Sequence, residues 1–183
     1  MSEDLLIRHC SPTLAGIKPG NMFPCTYSSS RELQESIRRL NRVLVPKGIR
    51  VMVLRSRGGH ALIYVFRPKS SEKILRDHRA AELLRHLGYT ELRLEPCLCQ
   101  MLGRFQDYSE FPHEVGLFLG YPPEDVWGFI RNGAGNHKCV GCWKVYGDED
   151  SARKTFARYR KCTAAYSNQW ARGTSRERLA VAV

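Results

Sequence analysis

The sequence predicts an α+β fold, a mostly antiparallel sheet covered by helices, on three observations. Ile49–Arg55 and His60–Phe66 are runs rich in β-branched and aromatic residues with Arg57-Gly58-Gly59 between them, the pattern of a β-hairpin. Ser29-x-x-Glu32 is a capping box, and Leu33, Ile37, Leu40 and Leu44 recur at helical spacing behind it until Pro46-Lys47-Gly48 stops the pattern. Asp148-Glu149-Asp150 places acids at the positive end of a long last helix. Strands and helices are mixed in order, so an α/β arrangement is the alternative. With 183 residues, 43% of them hydrophobic, the chain is long enough for one substantial core. No repeat or long linker divides it, so residues 1–173 read as a single domain and 174–183 as a frayed tail.

The remaining elements follow in order. HCSPTLAGIKPGNMFPC is broken by Pro12, Gly16, Pro19, Gly20 and Pro24 and reads as short extended pieces. The helix behind Ser29 carries Arg38, Arg39 and Arg42 on its outer face. Ser71–Leu87 reads as one helix stopped by Gly88, with Ile74, Leu75, Leu83, Leu84 and Leu87 facing inward. Leu92 and Leu94 allow a short strand. Pro96 starts a helix whose Leu98, Met101, Leu102 and Phe105 share a face. Val115–Leu119 reads as a short helix, although Gly116 costs about 1 kcal/mol there relative to Ala. Pro122 or Pro123 opens the next helix, which buries Val126, Phe129 and Ile130 and ends at Asn132-Gly133. Val140–Tyr146 reads as a strand.

The phrases FPHEVGLFLGYPPEDVWGFI and GCWKVYGD, with HCSPTLAGIKPGNMF near the start, resemble a bacterial family known as domain of unknown function three-seven-nine-three. The match runs from about Leu5 to Tyr166. The resemblance implies an intracellular protein of anaerobic, Gram-positive-type bacteria, and it carries no assigned activity onto any residue.

Charge and cysteine usage narrow the function classes. The formal net charge of +11 is uneven: residues 31–57 carry +6, 58–106 carry +3, 107–150 carry −5 and 151–183 carry +7. A basic surface of this kind serves nucleic acid, a small anionic ligand or an acidic partner, or is simply a solvated set of helix faces. The N-terminal segment has acids where a signal peptide has a basic flank, and no apolar run approaches a membrane span. A cytoplasmic protein without a membrane partner is expected. Seven cysteines, an odd number, read there as reduced thiols or metal ligands.

Three constellations carry chemistry. Cys139-x-x-Cys142 has the spacing of a metal knuckle, and Cys97-x-Cys99 is the matching half of a zinc or iron–sulfur site. Strand geometry puts Cys139 and Cys142 on opposite sides unless Gly141 turns, which disfavours joint ligation. Lys18 and Lys144 are lone bases in apolar or aromatic phrases, and with His113 and Glu114 they form a candidate site for a small anion. Cys10, with His9 beside it, or Cys162, folded near His113, would give a Cys-His enzyme, without the surroundings of known thiol enzymes.

The sequence thus favours a binding or regulatory protein for a small anion or a metal. Nucleic-acid binding through Arg153, Lys154, Arg158, Arg160 and Lys161 is the alternative. HEVGLFLGYPPEDVWGFI has the cadence of a helix-turn-helix, but its second helix opens on Glu124-Asp125, the wrong charge for a nucleic-acid groove. The Asn132–Asn136 loop follows a helix instead of preceding one and so makes no phosphate cradle.

Overall fold

Residues 49–66 form the predicted hairpin, and a third strand completes its sheet. In the computed structural model, which describes residues 3–107 and 111–182, β1 (Gly20–Thr26), β2 (Arg50–Arg57) and β3 (His60–Phe66) are antiparallel in the order β1-β3-β2. Arg57 pairs with His60 across the turn, where Gly58 and Gly59 take φ of 56° and 78°. A bulge between Val53 and Arg55 shifts the register of β2. The α+β class is as expected, with β1 and β2 as the two edges.

The chain forms two compact units, one of residues up to Lys69 with those from Tyr159 onward, the other Ser70–Arg158. In the first unit, the opening segment is not extended. Glu3–Leu14 is α1, with Pro12 in its last turn. Leu6, Ile7, Cys10 and Leu14 recur at helical spacing and are all 2% exposed or less, so burial of that stripe outweighs the proline. α2 (Ser30–Leu44) begins at the predicted box: Ser29 accepts from Glu32 N, and Glu32 accepts from Ser28 N. It buries Leu33, Leu40 and Leu44. Asn41 on α2 both donates to Val51 O and accepts from Val51 N, each at 2.8 Å, doing for the β2 edge at that residue what another strand would do. Phe23, Cys25, Ala61, Ile63, Val65 and Val51 face α1 and α2 in one core.

The tail departs from expectation. The last helix pair comprises α8 (Glu149–Ala171) and α9 (Arg176–Leu179), and Leu179 and Ala180, each 2% exposed, belong to the core of the first unit. Arg67, 2% exposed, donates to Thr13 O, Leu14 O, Lys47 O and Val181 O, while Val181 N donates to Leu14 O. Those bonds hold the tail to α1, where the sequence read a frayed end.

The second unit corrects five further expectations. Ser71–Leu87 is two helices, α3 (Pro68–Leu75, which starts in the first unit) and α4 (His78–His86). Asp77 breaks the run because its carboxylate caps α4, accepting from Arg79 N and Ala80 N. Leu92 and Leu94 form no strand; Leu94 opens α5 (Leu94–Gln106), which buries Leu94, Cys97, Met101 and Phe105, so Cys97 takes the inward place expected for Leu98. α6 (Val115–Phe118) and α7 (Pro123–Asn132) fall as predicted, but α7 buries Asp125 and Val126 and leaves Phe129 and Ile130 half-buried. Val140–Tyr146 is not one strand. It is a small hairpin, β4 (Cys139–Val140) with β5 (Lys144–Val145), turned at Gly141, where an added Cβ would run into the Phe156 ring.

Candidate functional site

Asp125 organises the phrase that looked most functional. Its carboxylate, 2% exposed, accepts from Trp143 Nε1 at 2.6 Å and from Tyr146 N and Gly147 N at 2.7 Å each. Trp143 stacks on Tyr121 and meets Phe156 edge-on, with centroids at 4.8 and 4.5 Å. A Cβ on Gly128 would strike the Tyr146 ring, and one on Gly116 would lie 2.9 Å from Val126. The glycines, tryptophan and acid of this stretch are therefore spent on packing α6, α7 and the β4–β5 hairpin together.

The proposed anion-site residues have separate engagements. Lys18, 6% exposed, lies in the first unit with its Nζ 5.6 Å from the Tyr159 ring centroid. His113, Glu114 and Lys144 lie in the second. His113 is exposed between Phe111 and Phe129. Glu114 is buried, paired with Arg104 at 3.0 Å and accepting from the Tyr89 hydroxyl at 3.0 Å. Burial first, and the Glu114 charge second, raise the Tyr89 pKa and keep that hydroxyl a donor. Lys144 donates to Ala134 O at 2.9 Å, pinning a loop in which Ala134 has φ of 72°.

The thiols differ in burial. Cys97 is buried and donates to Glu91 O, Cys99 and Cys142 are exposed, and Cys139 is half-buried. Among the described residues no group of three or more His, Cys, Asp or Glu side chains could hold a metal ion. Burial raises the Cys97 pKa to about 11 and puts Cys10 higher still. Desolvation also raises Cys25, Cys139 and Cys162, and Glu149 adds to the rise at Cys139. Thiol catalysis needs the opposite shift. His9, stacked on Phe23, has its pKa lowered by burial and by Arg8.

Charge segregates by unit. The first carries 17 Lys and Arg against 5 Asp and Glu, a net +12; the second carries 12 against 13. Exposed Arg38, Arg39 and Arg42 on α2 stand beside β2, whose Arg50 and Arg57 are exposed and whose Arg55 is half-buried. The Asn41–Val51 bonds tie α2 to the edge of β2, while Arg50, Arg55 and Arg57, paired with Phe66, Leu62 and His60, lie on the sheet face opposite the one that packs on α1 and α2. On α8, Arg153, Lys154, Arg158, Arg160 and Lys161 are all exposed, and Arg153 is tied to Glu149.

One feature the sequence reading missed is a cleft of about 280 Å³ lined by Arg79, Glu82, Leu83, His86, Pro123, Glu124 and Trp127. Arg79, Glu82 and His86 on α4, and Glu124 and Trp127 on α7, follow helical spacing that puts each set on one face. That repeated i, i+3 pattern around a tryptophan was the available signal. No helix among the described residues is long and apolar enough to cross a membrane.

Neither a curated protein nor a solved structure matches the chain. The family model described as "Protein of unknown function (DUF3793)" matches residues 6–180, nearly the whole chain, and the chain therefore belongs to that family.

Proposed function

We propose that this is a bacterial cytoplasmic binding protein whose first unit takes an anionic polymer, nucleic acid, on the arginine rows of α2 and β2. The observation that carries the reading is the segregation of charge: a net +12 in one unit against −1 in the other. Solvated helix faces alone give no reason for such a division. The bases are mostly arginine, whose planar fork suits phosphate oxygens, and α2 alone exposes three of them, Arg38, Arg39 and Arg42. Arg160 and Lys161 on α8 extend the basic surface of this unit. Hydrogen-bond donors aimed at backbone phosphates fix position and carry no base identity, so the binding is expected to be weakly sequence-specific.

Fluorescence anisotropy with labelled duplex DNA, single-stranded DNA and RNA over a range of salt tests this. Engagement of four or more phosphates gives a slope of log K against log salt of about −3 or steeper. Charge reversal of Arg38, Arg39 and Arg42 together is expected to weaken binding by about tenfold or more. Reversal at Arg158 and Arg160 should weaken it more than Arg131→Ala. Binding that ignores both salt and the α2 reversal would sink the proposal.

A further inference from the structure

The cleft between α4 and α7 has the wrong charge for the same partner. Its lining sets Glu82 and Glu124 against Arg79, in a chain whose overall charge is +11. The rest of its lining includes apolar Leu83, Pro123 and the Trp127 indole. We propose that this cleft binds a small organic cation with an apolar stem, an alkylguanidinium or alkylammonium.

Three features carry the assignment. The volume of about 280 Å³ lies just under the range typical of small-ligand sites, enough for a fragment and too small for a polymer segment. An indole face together with carboxylates is the pairing that recognises a desolvated cation, since the ring quadrupole attracts the charge while the carboxylates accept its hydrogen bonds. The protein's own guanidinium groups already rest on these partners: Arg131 lies 5.4 Å from the Trp127 ring centroid, and Arg79 pairs with Glu124 at 3.3 Å. The Arg79–Glu124 pair is exposed on both sides, and such pairs are worth little, so a ligand can exchange with it at small cost. Glu82, whose partner on the same helix is His78 at 4.0 Å in a likewise exposed pair, is the second carboxylate for the ligand's charge. His86, edge-on to Trp127 at 4.9 Å, closes one wall. An anion would meet two carboxylates here and is disfavoured. The cleft and the arginine rows take ligands of opposite charge, so the failure of either assignment leaves the other standing.

Calorimetric titration of the full chain with n-butylguanidinium and n-butylammonium tests the proposal, with 1-butanol as the neutral analogue and butyrate as the anionic one. The indole N–H resonance of Trp127, identified by its loss in Trp127→Phe, reports the location. Saturable binding of the cations is expected to be about tenfold tighter than that of butanol, with butyrate not binding. Glu82→Gln, at an exposed position where folding is not in question, should weaken the cations about threefold or more and leave butanol unchanged. Equal binding of butanol reduces the cleft to an apolar dimple, and tighter binding of butyrate reverses its charge preference. Cation binding unchanged in both Glu82→Gln and Trp127→Phe places the event elsewhere. Each of these results, or no saturable binding at tens of millimolar, overturns the assignment.

Discussion

Asp125 shows how a buried acid in a motif-rich phrase can be fully occupied with structure. An acid beside a tryptophan, two prolines and several glycines invites a mechanistic reading, yet its two oxygens accept three hydrogen bonds from Trp143, Tyr146 and Gly147. Removing the acceptor leaves three donors without a partner in a buried place, where each costs about 1–3 kcal/mol. Asp125→Ala is therefore expected to lower unfolding stability by about 3–5 kcal/mol in urea titration, while Asp125→Asn, which keeps one acceptor oxygen, costs about 1–2 kcal/mol. A loss below 1 kcal/mol for the alanine variant would show that the three donors find water or other acceptors. At this scale the sequence was least informative. Lys18, Glu114 and Lys144 are unusual in their local phrases, but what each meets lies outside its own phrase: Tyr159 for Lys18, Tyr89 and Arg104 for Glu114, Ala134 for Lys144. Residue identity advertises a polar group in an apolar setting and says nothing of whether the fold has already paired it.

Elements were legible where their signals were local. The capping box at Ser29, the glycine turn at Gly58-Gly59, the prolines before α7 and the acids at the start of α8 each act within a few residues, and each fell where the pattern put it. α1 was missed because proline and small residues are read as local breakers, while the stripe Leu6, Ile7, Cys10 and Leu14 is stabilised by a sheet formed later in the chain. The β4–β5 turn was missed for a related reason: Gly141 is needed by Phe156, fifteen residues on, and not by its own backbone. This distinction makes a prediction. Gly141→Ala should destabilise by about 1–3 kcal/mol, because Phe156, 4% exposed and wedged against Trp143, has little room to yield. Gly103→Ala, on α5 with no atom near the added methyl, should instead stabilise by up to about 1 kcal/mol through helix propensity. Adding Phe156→Leu to Gly141→Ala should recover part of the loss, and a double-mutant cycle measures the coupling. Additive effects would mean that the glycine is required for another reason.

For the whole molecule, one conclusion was within reach of the sequence and another was not. The uneven charge was visible in windows, but the windows ran along the chain, and only the fold joins the basic residues before Lys69 to those after Tyr159 in one unit of +12. The same joining decides the fate of the tail. Its composition reads as solvated, with Arg172, Arg176 and Arg178 around Gly173 and Ser175, but Leu179 and Ala180 enter the core that holds Leu6, Ile7 and Leu14. Arg67 then binds Val181 O, 114 residues on, along with carbonyls from α1 and from Lys47, so a single guanidinium bridges the two ends of the described chain. Side chain and backbone play separable parts here, and substitution can separate them. Leu179→Ala removes buried methyl groups and should cost about 2–4 kcal/mol. Val181→Ala should cost less than about 0.5 kcal/mol, because the Val181 side chain is 46% exposed and its N–H and C=O, which make the contacts, are unchanged. Arg67→Met should cost more than the valine change, since it removes four hydrogen bonds to backbone carbonyls. Were Leu179→Ala as mild as Val181→Ala in urea titration, the tail would be fraying in solution and the core of the first unit would close without it.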